Sequence, residues 1–251
     1  MTWLGLALGT LGVVDLVRWN RERLDRRTVV GFAVAGGLVV FLLLLGGVGL
    51  WTVAGTTAAV LVAAVAWVTA SDAALRPGGL LWPALVVPLV VVAGALVLSP
   101  WSPDLGGPLA DWYADLPWAA VADQPVERAV AVLGYGVALT ATGNVLVRLV
   151  LTASGSKVRR SEQQIKGGRV LGPMERLLIL GLGLAGELGA ASIIVAAKGL
   201  LRFPELQSYR AQQGDDGADE ASGQRIDVLT EYFLIGSMTS WLLALLSLAA
   251  V

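Results

Sequence analysis

The chain of 251 residues is 56% hydrophobic and 15% charged, with a mean hydropathy of +0.72 and a formal net charge of −1. A soluble domain carries about 25% charged residues, and apolar runs this long and this many exclude a soluble core. The balanced charge, with no extended basic face, excludes a nucleic-acid partner. The absence of cysteine and histidine removes disulfides, thiolate chemistry, His-ligated haem and the usual zinc sites, so no metal or cofactor is expected.

Seven apolar segments read as membrane spans of an all-α, polytopic bundle. The first, Thr2–Val17, is short and carries Asp15 near its end. It has neither the basic n-region nor the cleavage site of a signal peptide, so it is expected to stay in the membrane, in full or partly along the interface. The second, Val29–Leu45, is closed by the Gly46-Gly47-Val48-Gly49 turn, and the third, Leu50–Ala70, is rich in Ala and Val. The fourth, Leu80–Ser99, contains Pro83 and Pro88. The others are Ala129–Val147, Leu177–Ala197 and Val228–Val251. Spans of about 17–25 residues suit a bilayer.

Basic residues orient these spans. Arg18–Thr28, Arg76 and Arg148–Arg176 hold most of the Lys and Arg, and seven alternating spans put them on one side, expected to be cytoplasmic. The N-terminus is then outside and the C-terminus inside. Arg128, Lys198, Arg202, Arg210 and Arg225 remain on the outer side. The outer segment Pro100–Arg128 is acidic and carries Trp101, Trp112 and Trp118, as expected of a stretch along the membrane surface. Trp3, Trp19, Trp51, Trp67 and Trp82 fall at predicted span ends and suggest two aromatic belts. The chain divides into residues 1–152, with the acidic Trp-rich loop, and 153–251, with a basic cytoplasmic loop and an acidic outer loop at Phe203–Asp227.

The sixth span carries the most conspicuous charge. Glu187 lies eleven residues after Arg176 and eleven before Lys198, which places the three on one helical face. Each separation is about 16 Å along the helix, too far for direct pairing. A carboxylate near the bilayer midplane costs about 2.5–3.5 kcal/mol on insertion scales, so its partner must come from another helix: Asn144 or Thr140 of the fifth span, or Ser237 or Ser240 of the seventh. Glu187 and Asn144 are therefore the candidate intramembrane functional residues, against the simpler reading of a hydrogen-bonded Glu locking helices together. Gly181-Leu182-Gly183-Leu184-Ala185-Gly186 matches G-x-G-x-x-G but follows no strand, so it is no dinucleotide site; its glycines thin or bend the helix. A bend at Gly186 and Gly189 would make a re-entrant hairpin, returning Lys198 and Arg202 to the cytoplasmic side. The 21 residues between Arg176 and Lys198 favour a single crossing.

Two further constellations flank this span. Lys198, Arg202 and Glu231 would sit at similar depth as an outer ion-pair cluster. On the cytoplasmic side, Lys166, Arg169, Glu175 and Arg176 form a candidate anion-binding loop, with Pro173 in the first helical turn. Its ligand would be a phosphate or an anionic lipid headgroup; a positive-inside loop is the plainer reading. Gly236 and Ser240 form a small-xxx-small pair, a packing signal.

Gly168-Arg169-Val170-Leu171-Gly172-Pro173-Met174-Glu175-Arg176 resembles a G-R-x-x-G-x-x-E-R signature. Ala196-Ala197-Lys198-Gly199-Leu200-Leu201-Arg202-Phe203 resembles an A-A-K-x-x-x-R-F element, and Glu231-Tyr232-Phe233-Leu234-Ile235-Gly236 resembles E-Y-x-L-I-G. In this order they resemble the C-terminal half of a family of bacterial integral membrane proteins known as a domain of unknown function. The resemblance covers roughly Gly167–Ser240. It implies that Glu175, Arg176, Lys198, Arg202, Phe203, Glu231 and Tyr232 belong to one shared core, with Glu187 outside it. The N-terminal half departs from the family, whose first helix contains His and Asp.

The expected function is transport of a small solute, ion or lipid across a bacterial cytoplasmic membrane, with Glu187 as the coupled group and Lys198, Arg202 and Glu231 as an outer gate. The alternative is a non-catalytic scaffold or sensor subunit with a protein partner, or a homo-oligomer. No catalytic motif is present, and a lipid-modifying enzyme built on Arg169, Glu175 and Arg176 ranks last because no paired-carboxylate metal motif accompanies them.

Overall fold

The computed structural model describes residues 1–18, 26–154, 168–197, 200 and 220–250, with the backbone alone described at 27, 120, 168–169 and 220–232. Every regular element among them is helical. Contacts divide the chain into two compact units, Met1–Val145 and Leu146–Ala250.

In the first unit, α1 (Thr2–Arg18) packs against α2 (Arg26–Leu45), α3 (Leu50–Ala74), α4 (Trp82–Val97) and α7 (Val126–Thr140). The helix read as a short first span, with a partly interfacial course as the alternative, is the centre of the unit: Leu11 and Val14 are fully enclosed. Its spacing of small residues explains this. A Cβ added to Gly5 would come within 2.7 Å of the Ala131 Cα, and one at Gly12 within 2.7 Å of the Ala138 amide nitrogen. The α1 and α7 backbones touch, as in small-xxx-small membrane packing, and only glycine fits. The sequence reading missed this seam.

These contacts fix helix direction. Gly5 meets Ala131 and Gly12 meets Ala138, so α1 and α7 are parallel. Asp15 meets Trp67 and Arg18 meets Asp72, so α1 and α3 are parallel. The start of α2 lies at the end of α1, where Gly31 faces Val14 and Val17. The Thr2 hydroxyl donates to the Pro103 carbonyl, just past the end of α4. Helix directions therefore alternate through α1–α4. The α2–α3 turn falls between Leu45 and Leu50, at the glycine-rich break.

After α4 the chain makes a short 3-10 turn (Ser99–Trp101), then α5 (Gly107–Ala114) and α6 (Ala119–Ala122). Gly106 donates to the Gly46 carbonyl (2.8 Å), and the Glu127 carboxylate accepts the Leu105 amide (2.8 Å). The acidic, Trp-rich stretch is thus folded onto one end of the bundle. Trp101, Trp112 and Trp118 remain exposed.

The unit encloses several polar and charged side chains within an apolar core, and its outer surface is apolar too. Asp15, Arg18, Thr56, Ser71, Asp72 and Thr142 are buried, while Val30, Val34, Leu38 and Phe41 of α2 and Val86, Leu89 and Val90 of α4 are exposed. Water cannot be the solvent for such a surface without severe cost; lipid can. Thr28–Leu45 and Leu50–Ala74 are each long and apolar enough to cross a membrane. The predicted fifth span is long and apolar enough to cross only if a bent pair counts as one span: α7 and α8 (Thr142–Ala153) meet at 46° around Ala141.

The second unit contains α9 (Gly168–Leu184), α10 (Leu188–Ala197) and α11 (Glu220–Ala249). The predicted uninterrupted sixth span is overturned here. The Gly186 amide donates to the Gly183 carbonyl and the Glu187 amide to the Leu182 carbonyl, with Gly186 at φ +80. That is a Schellman ending, in which glycine takes the left-handed conformation and satisfies the last carbonyls of the helix. A new helix starts at once, with the Ala191 amide bonded to the Glu187 carbonyl. At its other end α9 begins at Gly168, so Pro173 lies inside it rather than in its first turn.

Candidate functional site

Among the described residues, each unit encloses one cluster of charged side chains. In the first, Asp15 and Arg18 stand one turn apart on α1. One Asp15 oxygen, Oδ2, accepts from the Trp67 indole (2.8 Å) and from the Thr142 hydroxyl (2.7 Å). The other accepts from Arg18 at 3.3 Å, and Arg18 reaches across to pair with Asp72 on α3. Two carboxylates, a guanidinium, an indole and a hydroxyl thus tie α1, α3 and the start of α8 together. Asp15, Asp72 and Arg18 are each less than a tenth exposed, and Trp67 is wholly enclosed. Charge can be held there only because every group meets a partner of opposite charge or a donor.

None of these five was singled out as a site residue, and Trp67 was assigned to an aromatic belt that its burial contradicts. Two signals were available: the (i, i+3) spacing of Asp15 and Arg18, and the placement of Asp15 and Asp72 at corresponding ends of the first and third spans. Trp51 and Trp82 do sit exposed, as belt residues should.

In the second unit the enclosed charges are Glu175 and Arg176, consecutive on α9. Arg176 donates to the Ser240 hydroxyl (3.2 Å), and the Trp241 indole donates to Glu175 Oε1 (2.7 Å). Arg176 is 1% exposed and Glu175 7%. The expectation that they belong to a surface loop is therefore corrected: they are helical, buried and bound to α11. Further along, Gly183 packs against Leu248. With Arg176 level with Ser240, this register makes α9 and α11 parallel. Among the described side chains of α11, Phe233–Ala249 is apolar, and Ser240 and Trp241 lie within it. Glu175 and Arg176, not Glu187, are therefore the enclosed ionisable pair of α9.

Glu187 itself is exposed, on the turn between α9 and α10, level with the C-terminal end of α11. Three of its four proposed partners are engaged elsewhere. Ser240 serves Arg176, and the Asn144 amide donates to the Thr140 carbonyl (3.2 Å), next to the α7–α8 bend. Thr140 bonds to its own helix at Gly136. Asn144 is half-buried and belongs to the other unit. Gly236 faces Leu151 and Val147 of α8, in keeping with a packing role.

Lys166, Lys198 and Arg202 lie outside the described residues, as do the side chains of Arg169 and Glu231. The outer ion-pair cluster and the basic half of the anion loop are therefore not placed. Among the described residues no group of three or more acidic side chains is arranged to hold a metal ion. Comparison with family models, with curated proteins and with solved structures gives no match.

Proposed function

We propose that this chain is a multi-pass integral protein of a bacterial cytoplasmic membrane that moves a small solute, ion or lipid. The coupled group in this reading is the Glu175–Arg176 pair rather than Glu187. The supporting observation is its placement: two ionisable side chains, buried and hydrogen-bonded to Ser240 and Trp241 within the apolar part of α11. Intramembrane charge is expensive, and a helix bundle keeps it where it handles charge or locks a fold. The apolar exterior and the enclosed Asp15–Arg18–Asp72 network support the bilayer as solvent. Lys166 and Arg169, beside the start of α9, are the proposed contacts with anionic lipid headgroups. Membership of the family that the three C-terminal motifs resemble is part of the same proposal.

The test uses proteoliposomes loaded with a pH-sensitive dye and given a potassium diffusion potential. Wild-type protein is expected to raise proton flux above that of empty vesicles. Glu175→Gln is expected to remove most of the increase, and Glu187→Gln to keep it. Flux that is indistinguishable between Glu175→Gln and wild type would end the coupling role.

One observation favours a second reading, a non-catalytic scaffold or sensor subunit. Both charged clusters have hydrogen-bond partners within their own units, which is how structural charges are held. This reading expects a stable partner to co-purify in mild detergent; a monodisperse chain with no partner would count against it.

A further inference from the structure

We infer that α9 and α10 form a helical hairpin whose two ends lie on the same, basic side of the membrane, and that the C-terminus lies on the opposite side. Three observations in the second unit carry this. The first is the register of α9 against α11: Glu175 with Trp241, Arg176 with Ser240 and Gly183 with Leu248. Both helices run the same way, so both start on the same side.

The second is the path of α10. Ala191 belongs to the same packed cluster as Ile179 and Ala244. On a continuous helix Ala191 would stand about 18 Å beyond Ile179, at 1.5 Å per residue. Sharing a cluster with residues at the level of Ile179 requires α10 to fold back along α9. The third is the turn that permits this. Gly186 at φ +80 closes α9, and Glu187 opens α10 with its carbonyl accepting the Ala191 amide.

Length agrees with this path. The 17 residues of α9 extend about 25 Å, enough to carry the turn across most of a hydrocarbon core of roughly 30 Å. Glu187 then emerges near the far interface, where an exposed carboxylate costs little, instead of at the midplane. Charge agrees as well. A single crossing leaves Arg128, Lys198, Arg202, Arg210 and Arg225 on the outer side. The hairpin returns the last four to the side that holds Lys157, Arg159, Arg160, Lys166 and Arg169, strengthening the positive-inside bias.

The inference rests on the multi-pass reading but not on transport. The chain has no native cysteine, so single-cysteine variants report sidedness without background. Ser156→Cys, Ser208→Cys and Ala250→Cys would each be treated with a membrane-impermeant maleimide in right-side-out and inside-out vesicles, with a detergent-denatured control for reactivity. Labelling of Ser156→Cys and Ser208→Cys from one side and of Ala250→Cys from the other is expected. Labelling of Ser208→Cys from the side opposite Ser156→Cys would overturn the hairpin. Full-length chains fused at the C-terminus to alkaline phosphatase or to green fluorescent protein decide independently. Active phosphatase and a dark fluorescent protein are expected; a bright fluorescent protein with inactive phosphatase would overturn the inference. Recovery of the chain in the soluble fraction would instead sink the membrane reading itself.

Discussion

The two units bury charge in different ways. In the first, Arg18 stands between two carboxylates, and the network joins α1, α3 and the start of α8. In the second, Glu175 and Arg176 are neighbours on one helix and reach α11 through neutral partners, an indole and a hydroxyl. Removing one member should therefore have unequal consequences. In the first unit it strands an opposite charge on another helix. In the second, loss of Trp241 or Ser240 removes a neutral hydrogen-bond partner and leaves both charges of the adjacent pair in place.

The largest expected effect follows from that contrast. Arg18→Met leaves Asp15 and Asp72 facing each other's helices without their shared cation, and should cost about 3–5 kcal/mol. The measurement is thermal unfolding in detergent; a loss of under about 1 kcal/mol would show that the network is not held as described. Next comes the α1–α7 seam. Gly12→Ala pushes a methyl into the α7 backbone and should cost about 1–3 kcal/mol, read in the same assay. A neutral result there would mean that the helices part more readily than backbone contact allows.

Smaller is Trp241→Phe, which keeps the ring but removes the donor to Glu175. A loss of about 1–3 kcal/mol is expected, near the lower end if another donor takes over, and Ser240→Ala should behave similarly. Equal losses for Arg18→Met and Trp241→Phe would break the contrast between units. The smallest effect is for Glu187→Gln. On an exposed turn it should change stability by no more than about 0.5 kcal/mol, whereas a buried midplane carboxylate would respond by several times that.

The sequence disclosed the helical class, the alternation of α1–α4 and the α2–α3 turn, because those depend on apolar length and glycine punctuation. It disclosed less about which charges are enclosed. Glu187 drew attention because a 21-residue apolar interval surrounds it. Apolar length alone does not separate one crossing from a hairpin, and the Schellman ending at Gly186 is a matter of backbone conformation. Glu175 and Arg176 looked like loop residues because Gly172 and Pro173 precede them, yet α9 absorbs both. Asp15 and Asp72 are 57 residues apart, and their meeting depends on α1 and α3 being parallel neighbours.

The central claim is that the embedded charge of the second unit is Glu175–Arg176 and that Glu187 marks a surface turn. Its most direct test compares Glu187→Cys with Ser240→Cys in intact membranes, using an impermeant maleimide. Glu187→Cys is expected to react from the side that carries the C-terminus, while Ser240→Cys stays protected until the protein is denatured. Protection of Glu187→Cys from both sides until denaturation would contradict the account and return that carboxylate to the membrane interior.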